Sequence, residues 1–376
     1  MRIAIINRVF ARTAGGAESY SVAVVEQLAA RHEIHVFAQE SNHPVEGVTY
    51  HRVFCLGKKP RWINQLLFAV ATWWHTRQGF DVVHSHENTW HGQIQTVHVR
   101  PLRYNLLHGQ RGFRRALRWL KICLSPRLLT YIWLEGARFR PQPGRRVVAT
   151  SIPLRKECER AYPASRKLLA VITPGTQLQQ DTLTRAAARR QLGLPPEAPL
   201  LLFVANDYRR KGLDALLQAL AQLPADVHLA VAGNPAPIAR YRPLAEQLGV
   251  AARVHFLGTQ EDLGPAYRAA DMLAHPTLED TYAMVVLEAM AHGLPVVVSG
   301  PTHCGISREL RDGYEALLLH NPRDASALAS LLRSVLEQPA VADRLRQHGL
   351  EFAQDHTWES TALQYEVLYQ QAAATS

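Results

Sequence analysis

Two carboxylates, Asp280 and Glu288, stand in a segment that predicts a strand, a loop and a helix in succession. The apolar run at 272–275 predicts the strand, the loop carries Asp280, and a helix beginning near Tyr282 carries Glu288 about two turns further on. Carboxylates accept hydrogen bonds from vicinal hydroxyls, and free amides at the start of a helix bind anions or hydroxyls. The segment therefore predicts a site for a hydroxyl-rich ligand. The alternative for Glu288, in an otherwise apolar helix, is a structural salt bridge.

A second candidate is the cationic run within residues 206–212, which follows the predicted strand 199–204. Arg209, Arg210 and Lys211 would lie at the start of a helix, where the helix dipole disfavours cations unless they share an anion. The run therefore predicts a phosphate-binding loop. The alternative is a solvated turn.

A third candidate is the pair Gly15 and Gly16, between a predicted strand at 2–7 and a helix at 17–30. Glycine removes the Cβ atoms that would keep a ligand away from the backbone, and the helix would supply free amides. The motif is neither a dinucleotide fingerprint nor a Walker loop, so a structural turn is the alternative.

The elements that must position these groups alternate between short β-rich runs and helix-length segments, which predicts an α/β fold with parallel sheets. Ligands of doubly wound sheets bind at the carboxyl ends of strands. We expect two Rossmann-like domains, residues 1–178 and 179–355, and a helix within 356–376 that packs back on the first domain. The predicted strands cover residues 2–7, 32–38, 81–84, 93–99, 146–150, 168–173, 199–204, 227–232, 253–257, 272–275, 296–298 and 316–319.

Composition favours a folded protein, since 47% of the residues are hydrophobic and 20% are charged. The four cysteines are widely separated, which is typical of reduced thiols in a cytosolic chain and predicts no zinc site. The first residues lack the pattern of a signal peptide, and no apolar run approaches the roughly 18 residues of a membrane span. We therefore expect that the chain neither crosses a membrane nor is exported.

The positive charge is concentrated in residues 100–146, which hold twelve Lys or Arg residues and one acid, Glu135. This segment has a net charge of +11 and the whole chain has a net charge of +10, so the rest of the chain sums to −1. Apolar residues interleave with the bases, which suits a surface helix on an anionic lipid surface. The alternative is a solvated basic face. Nucleic acid is not expected, because no zinc-finger spacing, aromatic RNA-binding motif or helix-turn-helix pattern accompanies the charge.

Around Asp280 and Glu288 the sequence resembles the signature of the family 4 glycosyltransferases of GT-B fold. In that family two acids separated by seven residues precede an alanine-rich helix and a Gly-x-Pro-Val strand, as residues 289–296 do here. The resemblance extends over essentially the whole chain, and it is closest to lipopolysaccharide core glycosyltransferases. Its further motifs are Gly15 to Glu18, Lys211-Gly212, residues 256–258, Gly305-Ile306, residues 312–318 and the helix from Trp358.

The resemblance implies roles for individual residues. Glu288 would hold the ribose of a nucleotide-sugar donor, Asp280 would lie nearest the donor sugar, and His98 would face the transferred sugar. Asp280 stands where the family usually has Glu, and Ala283 where Gly is common. The implied catalytic residues are Asp280 and His98, and the implied donor-binding residues are Gly15, Gly16, Arg210, Lys211, Tyr282, Ala283, Met284 and Glu288.

The resemblance also implies a retaining transfer of a hexose-type sugar without a metal or other cofactor. The chain has no Asp-x-Asp motif, so Lys211, Arg210 and the helix starts after Gly16 and around Gly305 would neutralise the diphosphate. In a GT-B enzyme two domains face a central cleft, and the first, residues 1–178, would receive the acceptor.

The expected partners are a nucleotide sugar, UDP-linked in preference to GDP-linked, and a lipopolysaccharide-core, lipid-linked or other glycan acceptor. We expect a cytoplasmic protein held peripherally on the inner face of the cytoplasmic membrane. The alternatives are an epimerase-like enzyme that modifies nucleotide sugars and a non-catalytic subunit that binds them.

Overall fold

The computed structural model describes residues 1–12, 15–56, 60–178 and 183–375, and the chain forms two compact units. The first unit combines Met1–Pro174 with the segment that begins at Trp358, and the second unit is Gly175–Thr357. The chain therefore passes from the first unit to the second before the expected boundary at 178/179.

A parallel sheet forms the centre of the first unit. Seven of its strands lie in the order β5-β3-β1-β6-β7-β8-β9, and β2 and β4 form a separate short pair. Interior strands such as Arg2–Ile6 and Arg146–Ala149 are apolar after their first residue, as is usual for parallel strands covered on both faces, whereas Val82–Ser85 and Ile94–Val97 also bury polar side chains. The bounds are β1 (Arg2–Ile6), β2 (Val9–Phe10), β3 (Glu33–Ala38), β4 (Glu40–Ser41), β5 (Val48–Arg52), β6 (Val82–Ser85), β7 (Ile94–Val97), β8 (Arg146–Ala149) and β9 (Leu169–Val171).

The basic segment within 100–146 forms three helices, and one of them, Gly112–Cys123, has the exposed basic and apolar residues expected of a surface helix. Gly109 and Gly112 both adopt positive φ where the first break occurs, and Ser125 caps the third helix ahead of a proline at its first position. The helices from the N-terminus to this point are α1 (Gly16–Leu28), α2 (Arg61–Thr76), α3 (Leu102–Leu107), α4 (Gly112–Cys123), α5 (Pro126–Arg138) and α6 (Ile152–Ala161).

Sequence patterning predicted neither β5 nor α2 of the first unit. The strand β5 lies at the edge of the sheet and is only partly buried, so it lacks the continuous apolar run that marks the interior strands. The helix α2 buries polar residues on its inner face and exposes Trp73 and Trp74, which weakens the usual apolar-inside pattern.

The second unit repeats the doubly wound plan with six parallel strands in the order β12-β11-β10-β13-β14-β15. Buried side chains cover both faces of this sheet. The predicted fold of two Rossmann-like α/β domains is thus confirmed. The strands are β10 (Leu200–Ala205), β11 (His228–Gly233), β12 (Val254–Gly258), β13 (Met272–His275), β14 (Val296–Ser299) and β15 (Leu317–Leu319). The helices are α7 (Arg185–Gln191), α8 (Leu213–Leu220), α9 (Ile238–Gln247), α10 (Gly264–Ala269), α11 (Met284–Ala291), α12 (Ala325–Glu337) and α13 (Pro339–Asp355).

The last helix, α14 (Trp358–Ala373), belongs to the first unit and packs against α1. The Tyr365 hydroxyl lies 2.9 Å from the Tyr20 hydroxyl and 2.8 Å from Thr96 Oγ1. The Tyr369 hydroxyl lies 2.7 Å from His84 Nδ1. Buried hydrogen bonds therefore connect α14 to the centre of the first sheet.

Across the described parts of the chain, no helix combines the length and the apolar character needed to span a lipid bilayer.

Candidate functional site

The second sheet has a topological switch point between β10 and β13. From β10 the chain continues to β11 on one side, whereas β13 pairs with β10 on the other. The loops that leave the carboxyl ends of these strands diverge in opposite directions, which leaves a crevice in doubly wound folds. Residues 206–212 and 276–283 occupy the two loops.

Main-chain hydrogen bonds hold these loops against each other and against the loop after β14. The Leu278 amide donates to the Arg210 carbonyl at 2.8 Å, and the Asp280 amide donates to the His303 carbonyl at 2.8 Å. The Gly305 amide returns a bond of 3.1 Å to the Asp280 carbonyl. Three loops that are distant in sequence therefore form one surface at the carboxyl edge of the sheet.

Two of the contacts require glycine. At Gly212, with φ at +85°, an added Cβ would lie 2.0 Å from the Pro276 carbonyl oxygen. At Gly305 it would lie 1.8 Å from the Thr281 carbonyl oxygen. No side chain fits at either distance, so the close approach of the loops fixes both residues.

Lys211 and Asp280 form an ion pair inside this surface. Their side chains are only 14% and 15% exposed, and His275 Nε2 lies 3.2 Å from the same carboxylate oxygen, Asp280 Oδ2. Burial alone would raise the pKa of Asp280, but the His275 hydrogen bond and the Lys211 charge hold it well below its usual range. Asp280 is therefore an ionised hydrogen-bond acceptor. The pKa of His275 is lowered by burial, so its imidazole is neutral.

Glu288 lies on α11 and is partly buried. The Tyr267 hydroxyl, from α10, donates a hydrogen bond of 2.7 Å to Glu288 Oε2. Burial, and then the Glu288 charge, raise the pKa of Tyr267 well above its usual value, so the phenol stays protonated and keeps donating. Glu288, in the predicted apolar helix, therefore has a hydrogen-bond partner, Tyr267, that orients its carboxylate.

The helix α11 begins at Met284 in a sharply turned backbone. Ala283 has a φ of 74°, and it is the one non-glycine residue with positive φ among the described residues. This left-handed conformation costs a residue with a Cβ roughly 1–2 kcal/mol. The buried residues Tyr282 and Ala283 directly precede the helix. No side chain caps the helix, so its first amides remain available to a ligand.

The structure revises three expected contributions to this site. The Arg210 guanidinium is exposed and lies 3.8 Å from Asp207, so its side chain does not join the Lys211–Asp280 pair. The predicted helix at Lys211 begins instead at Leu213, which places the cation in the preceding turn. The expected helix start around Gly305 is wrong, because only the three-residue 3-10 turn Ile306–Arg308 follows it.

In the first unit, Gly15 caps the start of α1 and Gly16 is its first residue, with no side-chain cap. The two preceding residues of the motif, Thr13 and Ala14, lie outside the described residues. The helix α1 therefore starts, after β1 and β2, with amides that no side chain of the described residues caps, at the carboxyl edge of the first sheet.

His98 follows β7 at that same edge and is partly buried. Its Nε2 lies 2.9 Å from His86 Nδ1, and its ring contacts Tyr20 at a centroid distance of 5.0 Å. Burial and the Arg138 guanidinium lower the pKa of His98 to about 3. His98 is therefore neutral, and it belongs to a set with His84 and His86, whose pKa values are also lowered by burial.

Sequence reasoning assigned no role in the site to Tyr267, His275 or His86. The signal for His275 was available, since it ends the strand from which Asp280 follows. Tyr267 carries no comparable signal, because its place beside Glu288 depends on how α10 packs against α11.

Comparison with known proteins identifies the family. The family profile described as "Glycosyl transferases group 1" matches residues 184–352, and that described as "Glycosyltransferase Family 4" matches residues 14–180. A D-inositol 3-phosphate glycosyltransferase of Xylanimonas cellulosilytica is 31% identical over 329 residues, which cover 79% of this chain and 74% of the relative. The chain belongs to glycosyltransferase family 4. Against other relatives of the same name, it spans only about half of their length.

Solved structures show the same fold for this family 4 member. The crystal structure of WaaG, a glycosyltransferase involved in lipopolysaccharide biosynthesis, matches with a TM-score of 0.83 at 22% identity and covers 100% of this chain and 99% of WaaG. HepE of Anabaena in complex with UDP-glucose matches with a TM-score of 0.76 at 17% identity and covers 98% and 100% of the two chains. The GT-B fold inferred from the sequence is confirmed.

The buried state of His98 predicts a specific loss of stability in acid. In the unfolded chain a histidine titrates near its ordinary pKa, about 6.5, so below that pH the unfolded state binds more protons and the free energy of unfolding falls. His98→Gln should reduce the loss between pH 7 and pH 5 by about 2 kcal/mol. The measurement is urea unfolding of the first unit at both pH values.

The matched control is His108→Gln, at an exposed position of the same unit. An equal change in the pH dependence of both variants would show that His98 is not held neutral by its surroundings.

Proposed function

We propose that this chain is a retaining, metal-independent glycosyltransferase that moves a hexose-type sugar from a nucleotide-diphosphate donor to a glycan acceptor at a membrane surface. The observation that carries the proposal is the arrangement at the switch point of the second sheet. There a buried cation, Lys211, an ionised acceptor, Asp280, and the uncapped start of α11 come together in one set of loops.

In this proposal the second unit holds the donor. Glu288 would accept hydrogen bonds from the two ribose hydroxyls, with Tyr267 as the positioning residue that fixes one of its oxygens. The diphosphate would lie at the first amides of α11, where the helix dipole favours negative charge. HepE, which shares the fold, binds UDP-glucose, and this supports a UDP-linked donor in preference to a GDP-linked one.

The Lys211–Asp280 pair gives the donor a charge partner without a metal. An arriving diphosphate would share the Lys211 ammonium with Asp280, and the cation would neutralise charge on the leaving phosphate. Because Asp280 stays ionised, it would accept a hydrogen bond from a hydroxyl of the donor sugar, and it would not protonate the leaving group.

The reaction would proceed by attack of the acceptor oxygen on the same face of the sugar from which the nucleoside diphosphate departs. The departing phosphate would take the proton of the acceptor hydroxyl, so configuration is retained and no covalent enzyme intermediate forms. His98, which is neutral, would offer a hydrogen bond to the transferred sugar. The free amides after Gly15 and Gly16 would add positive dipole in the first unit.

The exposed face of α4 supports docking on an anionic membrane. All residues from 111 to 121 are exposed, and Phe113 and Leu124 are 78% and 75% exposed. The basic residues of the same helix, Arg114, Arg115 and Arg118, are exposed as well. An amphipathic helix of this kind lies in the lipid interface with its bases toward anionic headgroups. We therefore propose a cytoplasmic protein, peripheral on the inner face of the membrane, with a lipid-linked or lipopolysaccharide-core acceptor.

A second acceptor class is favoured by the curated relatives. Relatives that are 31–34% identical to this chain include D-inositol 3-phosphate glycosyltransferases, so a phosphorylated polyol is the second candidate. An assay with inositol 3-phosphate and with a lipopolysaccharide-core acceptor, under one labelled donor, distinguishes the two.

Removing the charge of Glu288 should weaken donor binding. A hydrogen bond to a charged group contributes about 1.5–3 kcal/mol, so Glu288→Gln should raise the donor KM by roughly 10- to 100-fold. Tyr267→Phe should raise the donor KM by a smaller factor, because it removes the hydrogen bond that positions Glu288 but leaves the carboxylate in place. Initial-rate kinetics with varied UDP-sugar measures both.

The control for this experiment is Glu337→Gln, which removes an exposed acid of the same unit. Donor kinetics of Glu288→Gln that match those of the control would remove Glu288 from the donor site.

Activity should persist without divalent metal. Because Lys211 and helix amides would neutralise the leaving group, EDTA should change kcat/KM less than about twofold. An Asp-x-Asp glycosyltransferase assayed in parallel shows that the chelator works. Full loss of activity in EDTA that Mg²⁺ or Mn²⁺ restores would contradict the proposal.

Membrane docking should depend on the basic face of α4. Each Lys or Arg near an anionic surface contributes about 1 kcal/mol, so reversing Arg114, Arg115 and Arg118 to Glu should weaken binding to phosphatidylglycerol vesicles at least about 100-fold. Co-sedimentation measures the effect. The control reverses Arg155, Lys156 and Arg160, which are exposed on α6 and change the net charge equally. Unchanged co-sedimentation of the α4 variant would favour a solvated basic face.

A further inference from the structure

Two neighbouring cavities of the first unit share Trp90 and Gln142 as walls. The first has a volume of about 430 Å³, and the second a volume of about 470 Å³. Both volumes lie within the range of small-molecule sites, roughly 300–1,000 Å³. None of the residues that line them serves the donor site of the second unit or the carboxyl-edge groups of the first.

Three tryptophans from separate elements line the cavities in a row. Trp73 lies in the last turn of α2, Trp90 lies in the β6–β7 loop, and Trp133 lies on α5. The Trp73 and Trp90 rings are 6.5 Å apart, and the Trp90 and Trp133 rings are 5.7 Å apart. Flat indole faces of this kind bind the apolar C–H faces of pyranose rings and leave the sugar hydroxyls to polar neighbours.

The charged residues that line the cavities are all arginines. Arg77 and Arg145 line the first cavity, and Arg103 and Arg140 line the second, with no Asp or Glu in either lining. Within the described part of the chain, none of these four guanidinium groups forms an ion pair. A guanidinium without a carboxylate partner is suited to bidentate binding of phosphate, sulfate or carboxylate.

Arg145 joins the two walls. It is 2% exposed, its Nη1 donates to the Ala137 carbonyl at 2.8 Å, and its Nη2 donates to the Trp90 carbonyl at 2.7 Å. These bonds hold the loop that carries Trp90 against the end of α5. Burial and the nearby Arg138 and Arg140 lower the pKa of Arg145 to about 10, so the group remains cationic at neutral pH.

We propose that this pair of cavities, which we call the tryptophan–arginine site, binds an anionic saccharide of two or more rings. The rings stack on Trp90 and its tryptophan neighbours, and the acidic substituent binds Arg77 or Arg140, the exposed arginines of the two linings. The first cavity lies where β7 and β8 begin, since Gln93 and Arg145 directly precede these strands. The site is therefore separate from the carboxyl-edge groups Gly15 and His98, and it does not rest on the proposed transfer reaction.

The test uses the full chain and lactose 3′-sulfate, with 3′-sialyllactose as a second anionic probe. Saturation-transfer NMR and tryptophan fluorescence should show saturable binding of both, whereas lactose and inorganic sulfate should bind at least tenfold more weakly. UDP should not compete. Arg77→Glu with Arg140→Glu should weaken binding of lactose 3′-sulfate at least tenfold, because both arginines are exposed and their reversal leaves the core intact.

Two matched controls accompany these variants. Arg155→Glu with Arg160→Glu changes the charge equally on α6 and should alter binding less than twofold. Gly136 lines the second cavity, and an added Cβ there would lie 3.9 Å from Tyr162, so Gly136→Ala should bind normally while Gly136→Phe should block the cavity. The proposal is overturned by the absence of saturable binding of both anionic probes, by equal binding of lactose or sulfate, by competition from UDP, or by equal loss in the α6 control.

Discussion

The ion pair between Lys211 and Asp280 ties together the two loops on which the second unit's site depends. Both side chains are largely buried, and a buried charge that loses its partner costs about 3–5 kcal/mol. The pair therefore stabilises the loops in the absence of a ligand, and it keeps a cation ready for an anion that can share it. Gly212 and Gly305 make the pair possible, because each allows a close backbone contact that a Cβ would prevent.

Both units place their polar groups by the same device. Parallel strands end at one edge of the sheet, so residues far apart in sequence arrive side by side without any local motif that joins them. In the second unit the loops after β10, β13 and β14 meet in this way, and in the first unit Gly15 precedes the helix α1 that follows β1 and β2, and His86 and His98 follow β6 and β7. The order of the strands therefore positions the polar groups, and the loops carry their side chains.

The sequence predicted those parts of the molecule that follow from local pattern. Buried strands such as β10 and β13 are continuous apolar runs, and Glu288 and Lys211 are marked by charge at a strand-to-helix junction. The side-chain partners were not predictable, because Tyr267 reaches Glu288 only through the packing of α10 against α11. The division of the basic segment into three helices was not predicted, for a related reason. Basic and apolar residues occur along its whole length, and the helices are divided only by two glycines with positive φ and by a serine cap that precedes a proline.

The position of α14 in the first unit has a consequence for synthesis of the chain. The second unit is contiguous, so all of its residues are translated before Trp358. The first unit lacks Tyr365 and Tyr369 until α14 has been translated, and the hydroxyls that satisfy His84 and Thr96 arrive with them. The nascent first unit therefore exposes the apolar face of α1 until α14 has been translated, which happens only after the whole of the second unit has been translated.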